Sequence, residues 1–213
     1  MIEVEKNFDL RSGDKERLIA GANLVSKKTF TDVYWDSPDY RLTAKDYWLR
    51  QRDGKWELKV PMNSERIDKR ATDQYRELET EEEIIAELKL AIGSRVHDAV
   101  RSAGYAPLAT IVTHRETYQK DGFHLDFDEM DFGYTTFEAE LMVQNPEEVQ
   151  GAEKRIMEFA RAYDIAATAS HGKVIEYLFR YKPEHYSALV KSGVVRAGEK
   201  STEGNPRSKG PPR

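Results

Sequence analysis

The sequence contains no cysteine, which excludes disulfide bonds, zinc–thiolate sites and cysteine nucleophiles. It also lacks any apolar run approaching the roughly 18 residues that a membrane-spanning helix needs. The first residues include acids where a secretory signal would be basic and then apolar. We therefore expect a cytoplasmic protein, in which any metal site is built without sulfur ligands.

A basic excess, which is usual in general nucleic-acid binders, is missing too. The 213 residues include 33 Lys and Arg against 38 Asp and Glu, and the net charge is −5. Charged residues still make up 33% of the chain and aromatic residues 10%, so a folded core must coexist with abundant charge. We expect a monomer that binds neither nucleic acid nor membranes.

A single domain is expected over residues 1–190, followed by a disordered tail over residues 191–213. The last eighteen residues contain three prolines, three glycines and one hydrophobic residue, Ala197. Such a composition cannot bury a core. Five bases and two acids give this segment a charge of +3, so the rest of the chain carries −5 − 3 = −8.

Alternating apolar and polar residues predict eight strands, most of them joined as sequential antiparallel neighbours. Asp53-Gly54 and Asp121-Gly122 are strong signals for two-residue hairpins. The predicted strands are Glu3–Phe8, Thr29–Asp36, Asp46–Arg52, Lys55–Val60, Tyr75–Thr80, Ala109–Lys120, Gly122–Met130 and Tyr134–Val143.

Helical periodicity and capping residues predict six helices. Thr80 followed by Glu83 is a capping-box pattern, and Asn145 followed by Pro146 marks another helix start. The predicted helices are Asp14–Ala22, Thr80–Leu90, Arg95–Ala103, Pro146–Tyr163, Lys173–Tyr181 and His185–Val190. Because the strands pair through hairpins, the predicted fold class is α+β.

Most of the predicted strands carry charge on one face. Trp48, Arg50 and Arg52 share a face in one strand, and Glu138 and Glu140 do so in another. A solvated sheet face explains any single pair. It explains the whole set less well, because neutral polar side chains are nearly absent from these faces. The alternative is an eight-stranded antiparallel β-barrel, a tunnel with a charged lumen, surrounded by helices.

The charges of such a lumen indicate its ligands. Clustered carboxylates suit a hard cation such as Mg²⁺ or Mn²⁺, and Arg and Lys suit phosphate oxygens. The acids are Glu3, Glu5, Glu57, Glu77, Glu79, Asp126, Asp128, Glu138 and Glu140, and the bases are Arg50, Arg52, Lys59, Arg115 and Lys173. A polyphosphate carried with its metal is therefore favoured. No P-loop, kinase loop, dinucleotide fingerprint or HExxH motif is present.

In their order and spacing, these residues resemble the CYTH, or triphosphate tunnel, superfamily, and within it the animal thiamine triphosphatase branch. The matching segments are Glu3–Glu5, Trp48–Arg52, Trp56–Lys59, Arg115, Asp126–Asp128, Asp131–Tyr134, Glu138–Glu140 and Lys173. The resemblance implies an α+β tunnel that binds a triphosphate. It also implies Mg²⁺-dependent hydrolysis of the terminal phosphoanhydride, here of thiamine triphosphate to thiamine diphosphate and phosphate.

The resemblance further implies a role for each site residue. It makes metal ligands of Glu3, Glu5, Asp126, Glu138 and Glu140, and catalytic residues of Glu3, Glu5, Glu138 and Glu140. It assigns the triphosphate to Arg50, Arg52, Lys59, Arg115 and Lys173. Trp48 would pack on the thiamine cation, for which indole is the best aromatic partner, but it could equally be a core aromatic residue.

One substrate-side position departs from the family pattern ExExK. The family lysine is replaced by Asn7, and the lysine stands one residue earlier, as Lys6. A shift of one residue in a strand reverses the direction of a side chain. Lys6 is therefore predicted to point away from Glu3 and Glu5, leaving the neutral amide of Asn7 in the tunnel and the phosphate clamp one charge short.

Three other functions remain open from the sequence. An inorganic tripolyphosphatase would use the same scaffold without needing Trp48. A module that binds polyphosphates or nucleotides with weak turnover would fit the missing family lysine. An ordinary α+β domain with solvated, charged strands would bind none of these ligands.

Overall fold

Eight antiparallel strands pair edge to edge until the last closes on the first. The computed structural model describes residues 1–62, 71–91, 93, 95–165 and 171–196. The order around the barrel is β1-β5-β4-β3-β2-β6-β7-β8, which confirms the predicted barrel. The strands are β1 (Ile2–Phe8), β2 (Asn23–Asp36), β3 (Trp48–Arg52), β4 (Lys55–Pro61), β5 (Asp73–Leu78), β6 (Ala106–Lys120), β7 (Phe123–Met130) and β8 (Tyr134–Val143).

Two tight turns set the register of the hairpins. Asp53 and Gly54 join β3 to β4 with φ of 47° and 85°, and Asp121 and Gly122 join β6 to β7 with φ of 52° and 84°. Positive φ at both central residues gives the turn whose twist matches that of paired strands. Both predicted hairpins are confirmed, and their registers determine which side chains face the barrel interior.

Helices cover the outside of the barrel and close one end of it. The six helices in the described residues are α1 (Asp14–Ile19), α2 (Glu81–Glu87), α3 (Val96–Ser102), α4 (Val149–Ala162), α5 (Lys173–Tyr181) and α6 (Pro183–Ser192). Helix α4 packs Ile156 and Phe159 against outward residues of β1 and β8, such as Val4 and Phe137. Among the described residues, none of these helices is both long and apolar enough to cross a membrane.

Helices α5 and α6 pack against apolar side chains that point into the barrel. Val174 and Leu178 of α5 and Leu189 of α6 form one buried cluster with Tyr34 and Ile111 of the strands. Helix α5 starts at Lys173, after Gly172 as its N-cap. Closing this end of the barrel therefore brings the first residue of α5 to the charged interior.

Strand β2 is longer than predicted, because backbone pairing rather than apolar alternation holds its first half. It begins at Asn23 instead of Thr29 and pairs with β6 from Asn23 onward. Leu24 and Val25 are 51% and 58% exposed there. Strand β6 likewise begins at Ala106, three residues before its predicted start.

The predicted start of β3 at Asp46 is wrong. Asp46 has φ 66° and ends a short 3₁₀ turn over Thr43–Lys45, and such a left-handed residue cannot lie within a strand. The strand begins two residues later, at Trp48. The end of β5 also differs, because the strand stops at Leu78 and leaves Glu79 beyond it.

Several helix boundaries differ as well. Helix α1 ends at Ile19, before the left-handed Gly21, and Pro146–Glu148 forms a 3₁₀ turn before α4. The last helix runs past the predicted domain boundary at residue 190, and Val194 and Val195 are buried in the cluster under α5 and α6. The predicted tail from residue 197 onward lies outside the described residues.

Candidate active site

The barrel interior brings together nearly all of the site residues predicted from the sequence. One cavity is lined by Glu3, Glu5, Asn7, Trp48, Arg50, Arg52, Lys59, Arg115, Glu138, Glu140 and Lys173. Asp126 is not among the lining residues, but it forms an ion pair with Arg115. The lining draws on all eight strands and on the first residue of α5, which together form one charged chamber.

One side of this chamber, here named the carboxylate wall, is rich in acids. It consists of Glu3 and Glu5 on β1, Asp126 on β7, and Glu138 and Glu140 on β8. Glu5 lies directly opposite Glu140 in the strand register, and Asp126 lies opposite Glu138. Like charges in such pairs repel each other, so the wall has an excess of negative charge that neighbouring bases must balance.

Lys59 is the base that pairs with the two glutamates of β1 in this wall. Its Nζ lies 2.6 Å from Oε2 of Glu3 and 2.7 Å from Oε2 of Glu5, and 3.7 Å from Oε1 of Glu77. Burial alone would lower the pKa of Lys59, but the surrounding carboxylates, Glu3 and Glu5 first, hold it well above its usual value. The lysine is therefore a firmly charged counter-ion for the wall.

The wall remains short of positive charge even with Lys59 in place. Burial, followed by repulsion from Glu138 and Glu3, raises the pKa of Glu5 well above its usual value. Burial, then Glu3 and Glu138, raises the pKa of Glu140 to about 8. Carboxyl groups whose charged form is disfavoured in this way are stabilised by any added cation.

The residues of the wall suit a hard divalent cation. Their donors are carboxylate oxygens, which Mg²⁺ and Mn²⁺ prefer. Burial first, and neighbouring acids second, raise the pKa of Glu5 and Glu140, so an added cation would stabilise their charged forms. In the part of the chain that the structure describes, no three Asp, Glu or His side chains are already grouped to hold an ion together. Glu3 and Glu5 converge on the ammonium of Lys59 instead.

A second part of the chamber, here named the clamp, contains four bases: Arg50 and Arg52 on β3, Arg115 on β6 and Lys173 on α5. Arg50 lies 2.6 Å from Glu57, and Arg115 forms ion pairs with Asp126 and, at 2.6 Å, with Asp128. Burial lowers the pKa of Lys173 to about 8, although Asp32 opposes the shift. Each guanidinium is thus held by a carboxylate in the protein without ligand.

Asp32, which the sequence analysis did not select, lies at the centre of the clamp. It is fully buried, and its carboxylate lies 2.8 Å from Nε of Arg52 and 2.6 Å from Nζ of Lys173. Burial alone would raise the pKa of Asp32, but Arg50 and Lys173 hold it far below its usual range. The sequence did contain a signal for Asp32, because it shares one face of a strand with Phe30 and Tyr34.

The ring of Phe30 also contacts bases of the clamp. The guanidinium carbons of Arg52 and Arg115 lie 4.2 Å and 5.6 Å from the centre of its ring, and Nζ of Lys173 lies 4.7 Å from it. These distances are within the range of cation–π contacts. Phe30 therefore contacts three bases of the clamp, two of which also pair with Asp32, and oxygens of a phosphate chain could bridge them.

Trp48 lines the chamber and is also part of the apolar cluster at its closed end. It is 6% exposed, and its indole Nε1 donates a hydrogen bond of 2.8 Å to Oδ1 of Asp46. It packs in the cluster that contains Tyr34, Tyr75 and Val174. The predicted face of Trp48 is confirmed, and its ring stands at the boundary between the charged chamber and the apolar cluster.

Asn7 faces the chamber as predicted, and Lys6 points away from Glu3 and Glu5, although it too lines the cavity. Nδ2 of Asn7 donates to Oε1 of Glu138 at 3.3 Å, on the inner side of β1. Nζ of Lys6 donates to the carbonyl oxygen of Ala71 at 2.7 Å and lies 5.8 Å from the ring of the outward-facing Phe8. The position of the family lysine therefore supplies an amide to the chamber.

Comparison with known proteins gives relatives over almost the whole chain. The CYTH domain model matches residues 1–170. The proteins named thiamine-triphosphatase from Macaca fascicularis and from Homo sapiens are each 30% identical to this chain, with 95% of both chains covered.

Solved structures share the fold at low sequence identity. The PH1819 protein of Pyrococcus horikoshii is 19% identical, with a TM-score of 0.58, and the match covers 83% of this chain and 98% of that one. A protein from Vibrio parahaemolyticus described as a putative adenylate cyclase is 17% identical, with a TM-score of 0.55 and coverage of 84% and 98%. At these identities, the likeness concerns the fold alone.

Proposed function

This chain belongs to the CYTH domain family, and on that premise we propose that it is a hydrolase of thiamine triphosphate. The proposed reaction is metal-dependent cleavage of the terminal phosphoanhydride, which yields thiamine diphosphate and phosphate. The relatives named thiamine-triphosphatase support it, since they match 95% of this chain at 30% identity. The proposed cofactor is Mg²⁺, with Mn²⁺ as a substitute.

The observation that carries the proposal is the division of one chamber between acids and bases. The carboxylate wall suits the cation of a metal–triphosphate, and the clamp suits its phosphate oxygens. Lys59 stands between the two, within 2.7 Å of Glu3 and Glu5. A ligand that brings both a cation and several phosphate charges would satisfy both sides at once.

In the proposed mechanism, Arg50, Arg52, Lys59, Arg115 and Lys173 bind the phosphate oxygens and neutralise the charge that grows on them. Most catalysis of phosphoryl transfer arises from such positioning and charge neutralisation. Glu3, Glu5, Asp126, Glu138 and Glu140 would hold the cation, and one of the wall's glutamates would orient the attacking water. The bound cation supplies further charge neutralisation at the phosphate oxygens.

The reaction consumes one water molecule and releases one phosphate. The water oxygen forms a bond to the terminal phosphorus as the bond from that phosphorus to the bridging oxygen breaks. Thiamine diphosphate leaves with the bridging oxygen, and the proton of the attacking water passes to solvent or to a neighbouring carboxylate. Arg and Lys side chains of the clamp stabilise the departing diphosphate.

A side-by-side assay tests the proposal. Phosphate release is measured from thiamine triphosphate, inorganic tripolyphosphate and ATP, each with Mg²⁺, with Mn²⁺ and with a chelator. We expect the highest kcat/KM for thiamine triphosphate with Mg²⁺ and no release with the chelator. Equal release with the chelator would refute the metal requirement, and a preference for another substrate would refute the substrate.

An inorganic tripolyphosphatase is the second candidate, and the burial of Trp48 favours it. The indole is only 6% exposed, whereas the charged residues around it already account for binding of a bare triphosphate. A structure from Hippeastrum, 19% identical, is described as a putative adenylyl cyclase with a dominant triphosphatase activity. Trp48→Ala separates the candidates. In a thiamine triphosphatase, this change should raise KM for thiamine triphosphate far more than KM for tripolyphosphate.

A binding module with weak turnover is the third candidate, and Asn7 is the residue that favours it. The amide at this position bonds to Glu138 and adds no positive charge to the chamber. Thermal stabilisation by tripolyphosphate with Mg²⁺, without phosphate release, would support such a module. Stabilisation together with turnover is the result that we expect.

A further inference from the structure

We propose that Asp46 is a positioning residue that sets substrate specificity. It fixes the rings of Trp48 and Tyr75 as a platform for a cationic organic group attached to the triphosphate. This inference rests on the proposed function, because it concerns the end of the same chamber that would receive the non-phosphate part of the substrate.

A single oxygen of Asp46 joins two aromatic residues from different strands. Oδ1 accepts a hydrogen bond of 2.8 Å from Nε1 of Trp48 and one of 2.9 Å from the hydroxyl of Tyr75. Trp48 lies on β3 and Tyr75 on β5, with β4 between them in the barrel. Asp46 is 7% exposed and the two rings are 6% and 5% exposed, so these bonds form away from bulk water.

The loop that carries Asp46 is itself fixed. Asp36 accepts hydrogen bonds from the backbone N–H groups of Leu42, at 3.0 Å, and Thr43, at 2.9 Å. The 3₁₀ turn over Thr43–Lys45 follows, and Asp46 ends it with φ 66°. Asp tolerates this left-handed conformation better than most residues. The carboxylate therefore reaches the two rings from a defined backbone position rather than from a flexible segment.

The platform adjoins the phosphate-binding part of the chamber. Trp48 lies directly opposite Lys59 in the register of β3 and β4, and Nζ of Lys59 is 5.2 Å from the centre of the Tyr75 ring. A triphosphate bound by Lys59 would thus place its attached group beside these rings. Aromatic faces attract a cation more strongly than a neutral or anionic group.

A purely structural role for Asp46 makes a different prediction. Buried Trp and Tyr usually find a partner for their N–H or O–H group, and Asp46 could merely satisfy these two donors. Its loss would then lower stability and affect all substrates alike. The proposed role instead predicts an effect that depends on whether the substrate carries an organic cation.

The test compares wild type with Asp46→Ala and Asp46→Asn, using thiamine triphosphate and inorganic tripolyphosphate with Mg²⁺. For Asp46→Ala we expect KM for thiamine triphosphate to rise about tenfold, of the order that lost hydrogen bonds produce, and KM for tripolyphosphate to change less than about threefold. Asp46→Asn should recover most of the affinity, because its carbonyl oxygen still accepts both bonds. Asp39→Ala, in the same loop with a side chain that is 71% exposed, is the matched control and should change neither KM.

The possible results are distinguishable. A similar rise of KM for both substrates in Asp46→Ala, or no recovery in Asp46→Asn, would overturn the positioning role while leaving the proposed function intact. A wild type that shows no preference for thiamine triphosphate would overturn the proposed function and this inference together, before any variant is measured. If Asp46→Ala does not fold, Trp48→Phe and Tyr75→Phe remove the two donors separately. Tyr75→Phe retains its ring, and Trp48→Phe puts a smaller phenyl ring in place of the indole. Each should raise KM for thiamine triphosphate selectively, and the absence of that effect in both would overturn the inference.

Discussion

The carboxylate wall and the clamp face the same chamber, yet the pKa values of their carboxyl groups are shifted in opposite directions. Burial and neighbouring acids raise the pKa of Glu140 to about 8, whereas Arg50 and Lys173 hold the pKa of the fully buried Asp32 far below its usual range. Burial is common to both, so the balance of neighbouring charges decides the outcome. The bases of the clamp are paired with carboxylates of the protein, and the wall has acids whose charged form an added cation would stabilise.

Removing a carboxylate from the wall should have the largest effect on turnover. We expect Glu138→Gln or Glu140→Gln to lower kcat with Mg²⁺ by about 100-fold or more, as loss of a key electrostatic group does, while the protein stays folded. Phosphate release and circular dichroism measure the two parts. Glu129→Gln, exposed on the outer side of β7, is the control, and undiminished turnover in both wall variants would refute the metal assignment.

Neutralising Asp32 in the clamp should affect stability more than any other change there. Asp32→Asn leaves Arg52 and Lys173 buried without their common counter-ion, and we expect the free energy of unfolding to fall by about 3 kcal/mol. Urea unfolding measures this loss, with the exposed Asp98→Asn as control.

Tripolyphosphate should partly reverse the loss in Asp32→Asn, because its oxygens can replace the missing carboxylate. We expect the ligand to raise Tm more in the variant than in wild type. Equal stabilisation of the two proteins would show that the bases of the clamp do not bind phosphate at this position.

The wall should make stability depend on pH in the protein without metal. Because the pKa of Glu140 is raised from 4.5 to about 8 on folding, the folded state binds the proton more tightly. The contribution of Glu140 to the free energy of unfolding is complete below pH 4.5. It is lost as pH rises towards 8, by about 1 kcal/mol per pH unit. Unfolding of wild type and Glu140→Gln between pH 5 and 8 measures this slope, and an equal slope in the variant would contradict the assignment to Glu140.

The sequence predicted the barrel and the inner face of the site, because side-chain alternation in strands is local. Glu3, Glu5, Arg50 and Lys59 follow directly from that alternation and from the family resemblance. The predictions could not state how the charges pair across the barrel, since β1 meets β8 and β5 only when the sheet closes. Pairing across the closed barrel is what joins Lys59 to β1.

The residues that the sequence analysis missed are distinguished by contacts between distant segments. Asp46 belongs to a loop whose left-handed residue ends a 3₁₀ turn, and its contacts come from β3 and from β5, nearly thirty residues away. Asp32 was in a predicted strand but carried no partner there. Its three bases come from β3 and from α5, which only the tertiary structure places beside it.

The most direct test of the account is a calorimetric titration of Mg²⁺ into the protein without phosphate, for wild type and Lys59→Met. The ammonium of Lys59 lies within 2.7 Å of both Glu3 and Glu5, where it competes with any cation for the wall. We expect Lys59→Met to bind Mg²⁺ about tenfold more tightly, which is a change of about 1.4 kcal/mol, while its KM for the triphosphate rises. An unchanged or weaker affinity for Mg²⁺ in Lys59→Met would contradict the central claim that this wall is a cation site.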